Sequence, residues 1–319
     1  VSAENRIRNL YLNDAADLLL VSVCIDKPCR VYELNLVKRD FNLLPKSRGL
    51  SQIDAIYLPS SNRKVVIESR REVGESESDK LMLLEQGSRA KEIPAPPSGK
   101  RFLYAYENGR IGYVEKYVPQ EGWRAKSVSF RLRSTALNGQ DNKILGPENE
   151  RFRFIAHPVT RGQTVYFIGW GSGGLPGTFS ALEPGVSAVS RIYRLGPDGR
   201  LERWLPNASL EEVTLYGFQP LAREDEFLYL THNRDRRPGP FVYEISRAMG
   251  ATLEAVTSYQ KALNRFHATS DGRTIASAES FEGNSTIVRI QSQGKETQNI
   301  KLTCSMKPLF DCKANFTSR

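Results

Sequence analysis

The stretch Phe266–Gln291, FHATSDGRTIASAESFEGNSTIVRIQ, constrains the fold more than any other part of the chain. An apolar lead-in runs into the turn Ser270-Asp271-Gly272, and a strand of small and branched residues follows over 274–280. A polar loop then ends in Gly283-Asn284 before a second strand over 286–290. Asp, Gly and Asn tolerate the left-handed backbone of tight turns, so turn residues between β-rich runs read as antiparallel hairpins. Five other segments keep the same order. The clearest pair is EFLYLTHNRDRRPGPFVYEISR beside RTIASAESFEGNSTIVRIQSQ, with the polar loop in the same place.

Repeats on this scale build solenoids or propellers, because one unit buries its faces only against its neighbours. Four-stranded antiparallel units of forty or so residues are propeller blades. A blade is packed on both faces, so its inner strands should be nearly unbroken apolar runs. LLLVSV, VVIES, FLYAY, TVYFIG and FLYL meet that expectation. The predicted fold is therefore all-β, a six-bladed β-propeller of four-stranded antiparallel blades forming a single domain over 1–319. Its blades fall near 6–50, 51–96, 97–140, 150–207, 210–260 and 262–303, followed by a cysteine-bearing tail at 304–319. The segment Ser134–Asn149 interrupts the pattern as a polar loop. Ala251–Leu263 is the one helical candidate, with Leu253, Val256 and Leu263 on one face, and it reads equally well as a fourth strand and linker. A two-sheet sandwich is the rival fold, but it calls for unequal strands in Greek-key order.

The order apolar-x-x-x-Ser-Asp-Gly-Arg, strand, loop, strand resembles the repeat of TolB-type six-bladed propellers. Arg265–Ile290 carries the match best, and Leu228–Ile245 echoes it through Asn233-Arg234-Asp235 and the Val242-Tyr243 strand. The resemblance implies a periplasmic or extracellular propeller that binds proteins, peptides or glycans through one face.

Lys and Arg number 45 against 36 acidic residues, a net charge of +9. Such an excess steers acidic partners, or is simply solvated. No consecutive basic block resembles a nucleic-acid arm, and no apolar run has the length of a membrane span. The first residue is Val1 and no signal-like segment follows it, which reads as a processed N-terminus. The four cysteines fall in two close pairs, Cys24/Cys29 and Cys304/Cys312, without the spacing of a zinc or redox site. Two local disulfides in an oxidising compartment, periplasmic or secreted, are the preferred account; four thiols in the cytosol are the alternative.

No local motif supports catalysis, a metal or a cofactor. The literal G-x-G-x-x-G at 169–174 follows a strand, but Pro176, Gly177, Pro184 and Gly185 preclude the helix that a dinucleotide site needs. Ser172 lacks the glycine of a nucleophile elbow. Propeller enzymes assemble their sites from single residues on several blades, so an enzyme acting on an acidic polysaccharide or a lactone stays as the alternative, with His157, His232 or His267 as its ligands or bases. The long segments Arg70–Asp79, Ser134–Asn149, Gly169–Ser190 and His232–Pro240 belong to loops that emerge on one end of a propeller, whereas the turns at the other end are short. Function concentrates on long loops held by a rigid scaffold. The expected binding face holds Arg70, Arg71, Trp170, His232, Arg234, Arg236 and Arg237. Arginine pairs bidentately with carboxylates and stacks on rings, so the expected partner is a protein or an acidic glycan.

Overall fold

A computed structural model describes the chain except for residues 1–4, 26–27, 48–49, 60, 62, 71–78, 86–88, 107–108, 119–127, 148–151, 171–190, 205–214, 233–242, 251, 260–262, 281–284, 306–310 and 319. The described residues form six antiparallel sheets, each built from consecutive strands. Blade 1 comprises β1 (Asn5–Leu12), β2 (Leu18–Ile25), β3 (Cys29–Asn35) and β4 (Asp40–Leu43). Blade 2 has β5 (Ser51–Tyr57), β6 (Lys64–Ser69), β7 (Lys80–Leu84) and β8 (Lys91–Ile93); blade 3 has β9 (Gly99–Tyr106), β10 (Arg110–Tyr117), β11 (Ser129–Ala136) and β12 (Lys143–Leu145). Blade 4 has β13 (Phe154–Arg161), β14 (Thr164–Trp170), β15 (Arg191–Leu195) and β16 (Leu201–Arg203). Blade 5 has β17 (Gly217–Pro220), β18 (Glu226–His232), β19 (Tyr243–Met249) and β20 (Thr252–Tyr259). Blade 6 has β21 (Leu263–Ala268), β22 (Thr274–Ser280), β23 (Ser285–Ser292), β24 (Gln298–Ser305) and a fifth strand, β25 (Asp311–Ser318).

The first strand of each blade touches the first strand of the next, and β1 touches β21, so the six sheets close a ring around an axis. The second strands are the most buried, as their apolar runs require: Leu19, Val21, Val65, Ile67, Phe227 and Leu228 are all fully enclosed. Core clusters form between blades. One joins Val21 and Leu34 of blade 1 to Ala276, Val288, Ile300 and Cys312 of blade 6. Ring closure therefore relies on side-chain packing and cross-seam hydrogen bonds; among the described residues no strand is exchanged between the two end blades. The amide of Ser270 donates to Asp14 Oδ1 at 2.9 Å and Arg265 Nε donates to the Arg8 carbonyl at 2.8 Å across that seam.

Several sequence expectations change here. Ala251–Leu263 is not helical among its described residues: β20 pairs along β19 over its whole length, and Leu263 opens β21. Ser134–Asn149 is not one long loop. Ser134–Ala136 ends β11, a short turn follows, and Lys143–Leu145 pairs back on Leu132–Ser134. Phe154 opens the lead strand of blade 4 and Gly217 that of blade 5. The tail is a strand: Cys304 and Cys312 sit opposite each other on β24 and β25 and are bonded. Cys24 and Cys29 likewise join β2 to β3.

Gly112 has a packing reason. A Cβ there would lie 2.0 Å from the Tyr104 ring, which crosses β10 and donates its hydroxyl to the Arg133 carbonyl at 3.2 Å. Gly112→Ala is expected to destabilise the ring by about 1–3 kcal/mol through overpacking, read as a lower urea midpoint at unchanged slope.

Candidate functional site: the axial cavity

Strand direction alternates within each blade, so the two ends of the ring differ. First-to-second and third-to-fourth strand turns lie at one end, here the turn face. Second-to-third strand loops and the connections between blades lie at the other, the loop face. A cavity of about 740 Å³ runs along the axis, lined by all six inner strands. Its walls continue to Asp14, Ala15, Pro59 and Ser270, exposed residues of the short turns. The cavity thus opens on the turn face.

The inner strands aim side chains into this space through β-bulges. Register slips occur at Ile7/Asn9, between Gln52 and Asp54, at Phe102, at His157-Pro158 and between Leu263 and Arg265, in the inner strands of blades 1, 2, 3, 4 and 6. A bulge leaves one residue outside the ladder and re-aims its neighbours. Phe102 and His157 adopt φ of 48° and 50°, in the left-handed region that costs a bulky residue of order 1–3 kcal/mol. Their rings meet at 6.0 Å. On blades 1 and 6, across the axis in a six-membered ring, Tyr11 and His267 form a second pair at 4.4 Å. The two remaining positions belong to Asp54 on blade 2 and Gln219 on blade 5.

Asp54 is the only fully buried member of this set that carries charge. Its carboxylate accepts from Asn9 Nδ2 of blade 1, from the Leu103 amide of blade 3 at 2.7 Å and from the Ala55 amide at 2.8 Å. Burial pushes its pKa up to about 6, against the opposing pull of these three bonds and of the Arg8 charge. Arg8 and Arg265 lie behind it on the loop-face side, both with guanidinium pKa values lowered by burial and both attracted by the Asp54 charge. A void of about 10 Å³, room for one water, separates Asp54 from Arg8 and Arg101. Gln219 is spent on the scaffold: it donates to the Ala268 carbonyl at 2.7 Å and accepts from the Ala268 amide at 2.8 Å, which joins blade 5 to blade 6.

Both imidazoles are held neutral. Burial drives His157 down to about 3, helped by the Arg265 charge and opposed by a hydrogen bond to the Tyr216 backbone. Burial drives His267 to about 4, opposed by Asp14. The Leu12 amide donates to His267 Nδ1 at 3.2 Å, which places the proton on Nε2. Among the described residues, no group of three or more His, Cys, Asp or Glu side chains is arranged to hold a metal ion.

Of the residues expected on the binding face, the three that are described do not line the cavity. Arg70 is exposed, directly after β6. Trp170 and His232 end β14 and β18 and pair with Phe154 and Tyr243, so they are strand residues rather than loop residues. Arg71, Arg234, Arg236 and Arg237 lie outside the described residues. Arg70, Trp170 and His232 follow or end second strands, at the loop-face end, whereas the cavity opens at the other. Ser270, in a short turn at the end opposite the long loops, stands at the cavity rim. Tyr11, Asp54, Phe102 and Gln219 were not singled out. The available signal was a polar residue inside an inner strand, as in SQIDAIY and GFQP.

No family model matches the chain, and no curated protein matches it. Solved structures do. An oligogalacturonate lyase in complex with manganese aligns over 99% of this chain and 90% of its own at 13% identity, with a TM-score of 0.58. TolB from Acinetobacter baumannii aligns over 95% of this chain and 67% of its own at 10% identity and TM-score 0.59. The β-propeller domain of the Trilobed protease from Pyrococcus furiosus, which has an open velcro topology, covers 100% and 96% at 10% identity and TM-score 0.55. These likenesses establish the propeller architecture, which the TolB-like repeat had implied.

Two outcomes follow from the charges on the axis. Asp54→Ala leaves three donors and two buried guanidiniums without that carboxylate, and is expected to cost about 3–5 kcal/mol in urea unfolding, with Asp54→Asn costing less. The pH dependence runs in opposite senses for the two residue types. His157 and His267 have folded pKa values below their ordinary value of 6.5, so their contribution is lost as pH falls from 6.5 toward 4 and 3. Asp54, raised to about 6 from 3.8, gains stability over the same descent. Two histidines outweigh one carboxyl, so replacing His157 and His267 by Gln should flatten the fall in thermal midpoint between pH 6.5 and 4. An unchanged slope would contradict the burial of these rings.

Proposed function

We propose that this chain is a recognition module that takes its ligand at the axis of the ring, from the turn face. The observation that carries the reading is the cavity itself: about 740 Å³, the size of a small-molecule site, with one inner strand from every blade on its walls. Bulges and two left-handed residues hold its rings in place, and strain of that kind persists where surrounding structure over-determines it. The two disulfides, Cys24–Cys29 and Cys304–Cys312, suit an oxidising compartment, and we assign the protein to the periplasm or the exterior.

The loop face is the second contact surface in this reading. Arg70, Arg71, Trp170, His232, Arg234, Arg236 and Arg237 would engage an acidic partner, a protein or a glycan, in keeping with the net charge of +9. The alternative reading, a propeller enzyme acting on a polysaccharide or a lactone, is favoured by two neutral imidazoles at the axis, either of which could accept a proton.

Ligand-observed NMR with a library of neutral, acidic and basic small molecules tests the axial site. Hits are expected to vanish in a Ser61→Trp/Ser270→Trp variant, whose bulky rim side chains block the mouth. Hits that survive the plug would place binding elsewhere, and an absence of hits would remove the reading. For the loop face, replacing Arg234, Arg236 and Arg237 by Ser should weaken binding to heparin, used as a polyanionic probe, and reduce its salt dependence. Turnover of a library compound, lost in His157→Gln while binding persists, would favour the enzyme.

A further inference from the structure

The charge on the cavity walls is at odds with the charge of the chain. The protein is strongly basic, yet among the described residues no Lys or Arg lines the cavity, and the charged ones on its walls are Asp54 and Asp14. The Asp54 charge is offset by Arg8 and Arg265 immediately behind it. Asp14 is exposed at the rim, where water screens it, and already accepts the Ser270 amide. Both imidazoles are uncharged. Among the described residues a ligand in this space therefore meets neither an uncompensated cation nor an uncompensated buried anion, so a charged ligand would give up its hydration without a counter-charge.

The uncharged polar groups are mostly donors. His267, on the cavity wall, has Nδ1 occupied by the Leu12 amide, which leaves Nε2–H as its donor, and among the described residues neither that atom nor the Tyr11 hydroxyl has a hydrogen-bond partner. Asn9 and Gln219 each keep one amide hydrogen beyond the bonds already described. These donors alternate with ring faces. The Tyr11/His267 pair on blades 1 and 6 stands across the axis from the Phe102/His157 pair on blades 3 and 4.

From this combination we propose that the axial cavity binds an uncharged saccharide of one or two rings. The pyranose C–H faces stack on the Tyr11 and Phe102 rings, and the hydroxyl and ring oxygens accept from His267 Nε2–H, the Tyr11 hydroxyl and the Asn9 amide. The left-handed backbone at Phe102 is the strain that turns that ring toward the ligand. The inference rests on the recognition reading above and names the ligand class of the same site.

Saturation-transfer NMR and calorimetry with cellobiose, maltose and N-acetylglucosamine test it, with digalacturonate and glucosamine as acidic and cationic counterparts. The neutral sugars are expected to bind and the charged ones to bind at least about tenfold more weakly. Tyr11→Phe, which keeps the ring, and His267→Asn, which keeps an acceptor for the Leu12 amide, should each weaken binding about five- to tenfold, the loss of one hydrogen bond. Phe102→Gly should abolish binding, with relief of the backbone strain offsetting part of the packing lost where Phe102 lies against the core of blades 3 and 4; if this variant fails to fold, the two conservative variants still decide. Neutral sugars that do not bind, or that bind equally well to Tyr11→Phe and to the plugged variant, overturn the proposal. Plug-sensitive binding of a charged library compound in place of sugars would sink the proposal but leave the recognition reading standing, whereas no plug-sensitive ligand of any class would sink both.

Discussion

One buried carboxylate ties the inner ring together. Asp54 accepts hydrogen bonds from blade 1 through Asn9, from its own strand through Ala55 and from blade 3 through Leu103. Its charge also offsets Arg8 and Arg265, which flank the seam between the first and last blades. Adjacent blades otherwise meet through apolar side chains, which attract without fixing a register. Directional bonds from one carboxylate to three strands set the relative height of blades 1, 2 and 3 along the axis. The cost of burying that charge shows in its raised pKa, and the neighbouring guanidiniums limit it.

The same logic recurs around the ring. The Gln219 amide holds Ala268 in a two-point bond, the Thr160 hydroxyl donates to the Ala105 carbonyl at 2.7 Å, and Ser22 reaches the Gln52 and Ile53 carbonyls. Each crosses from one blade to the next near the axis. Inner strands at a propeller axis have one ladder partner, on the outward side, so their other edge must find partners elsewhere. Side-chain amides and hydroxyls from adjacent blades supply them. The bulges are part of this arrangement, because a residue taken out of the ladder is free to turn toward the cavity.

Closure follows from packing. Blade 6 carries an extra outer strand, and the disulfide between β24 and β25 anchors it. Cys312, Ala314 and Phe316 of that strand join the core shared with Tyr32 and Phe41 of blade 1. Where no strand is exchanged, the seam needs this added apolar surface, since hydrophobic contact there replaces a backbone ladder.

The sequence by itself determined the blades. Apolar inner runs, turn residues at fixed offsets and a layout repeated six times depend on local chain chemistry, and hairpins form between neighbours in sequence. The paired cysteines were legible for the same reason, being close along the chain. Strand ends in irregular stretches were not: Lys143–Leu145 is three residues in a polar segment, and only the edge of β11 gives it a reason to extend. Loop length did not point to the cavity, because it marks where a chain is free to vary, whereas a cavity is made where inner strands converge. Tyr11, Asp54, Phe102, His157 and His267 span more than 250 positions and meet only because the ring closes. A bulge lies at or beside Asp54, Phe102 and His157, and burial sets the protonation of Asp54, His157 and His267. Tertiary structure alone decided that, since proximity across the ring and exclusion of water exist only once six blades have packed.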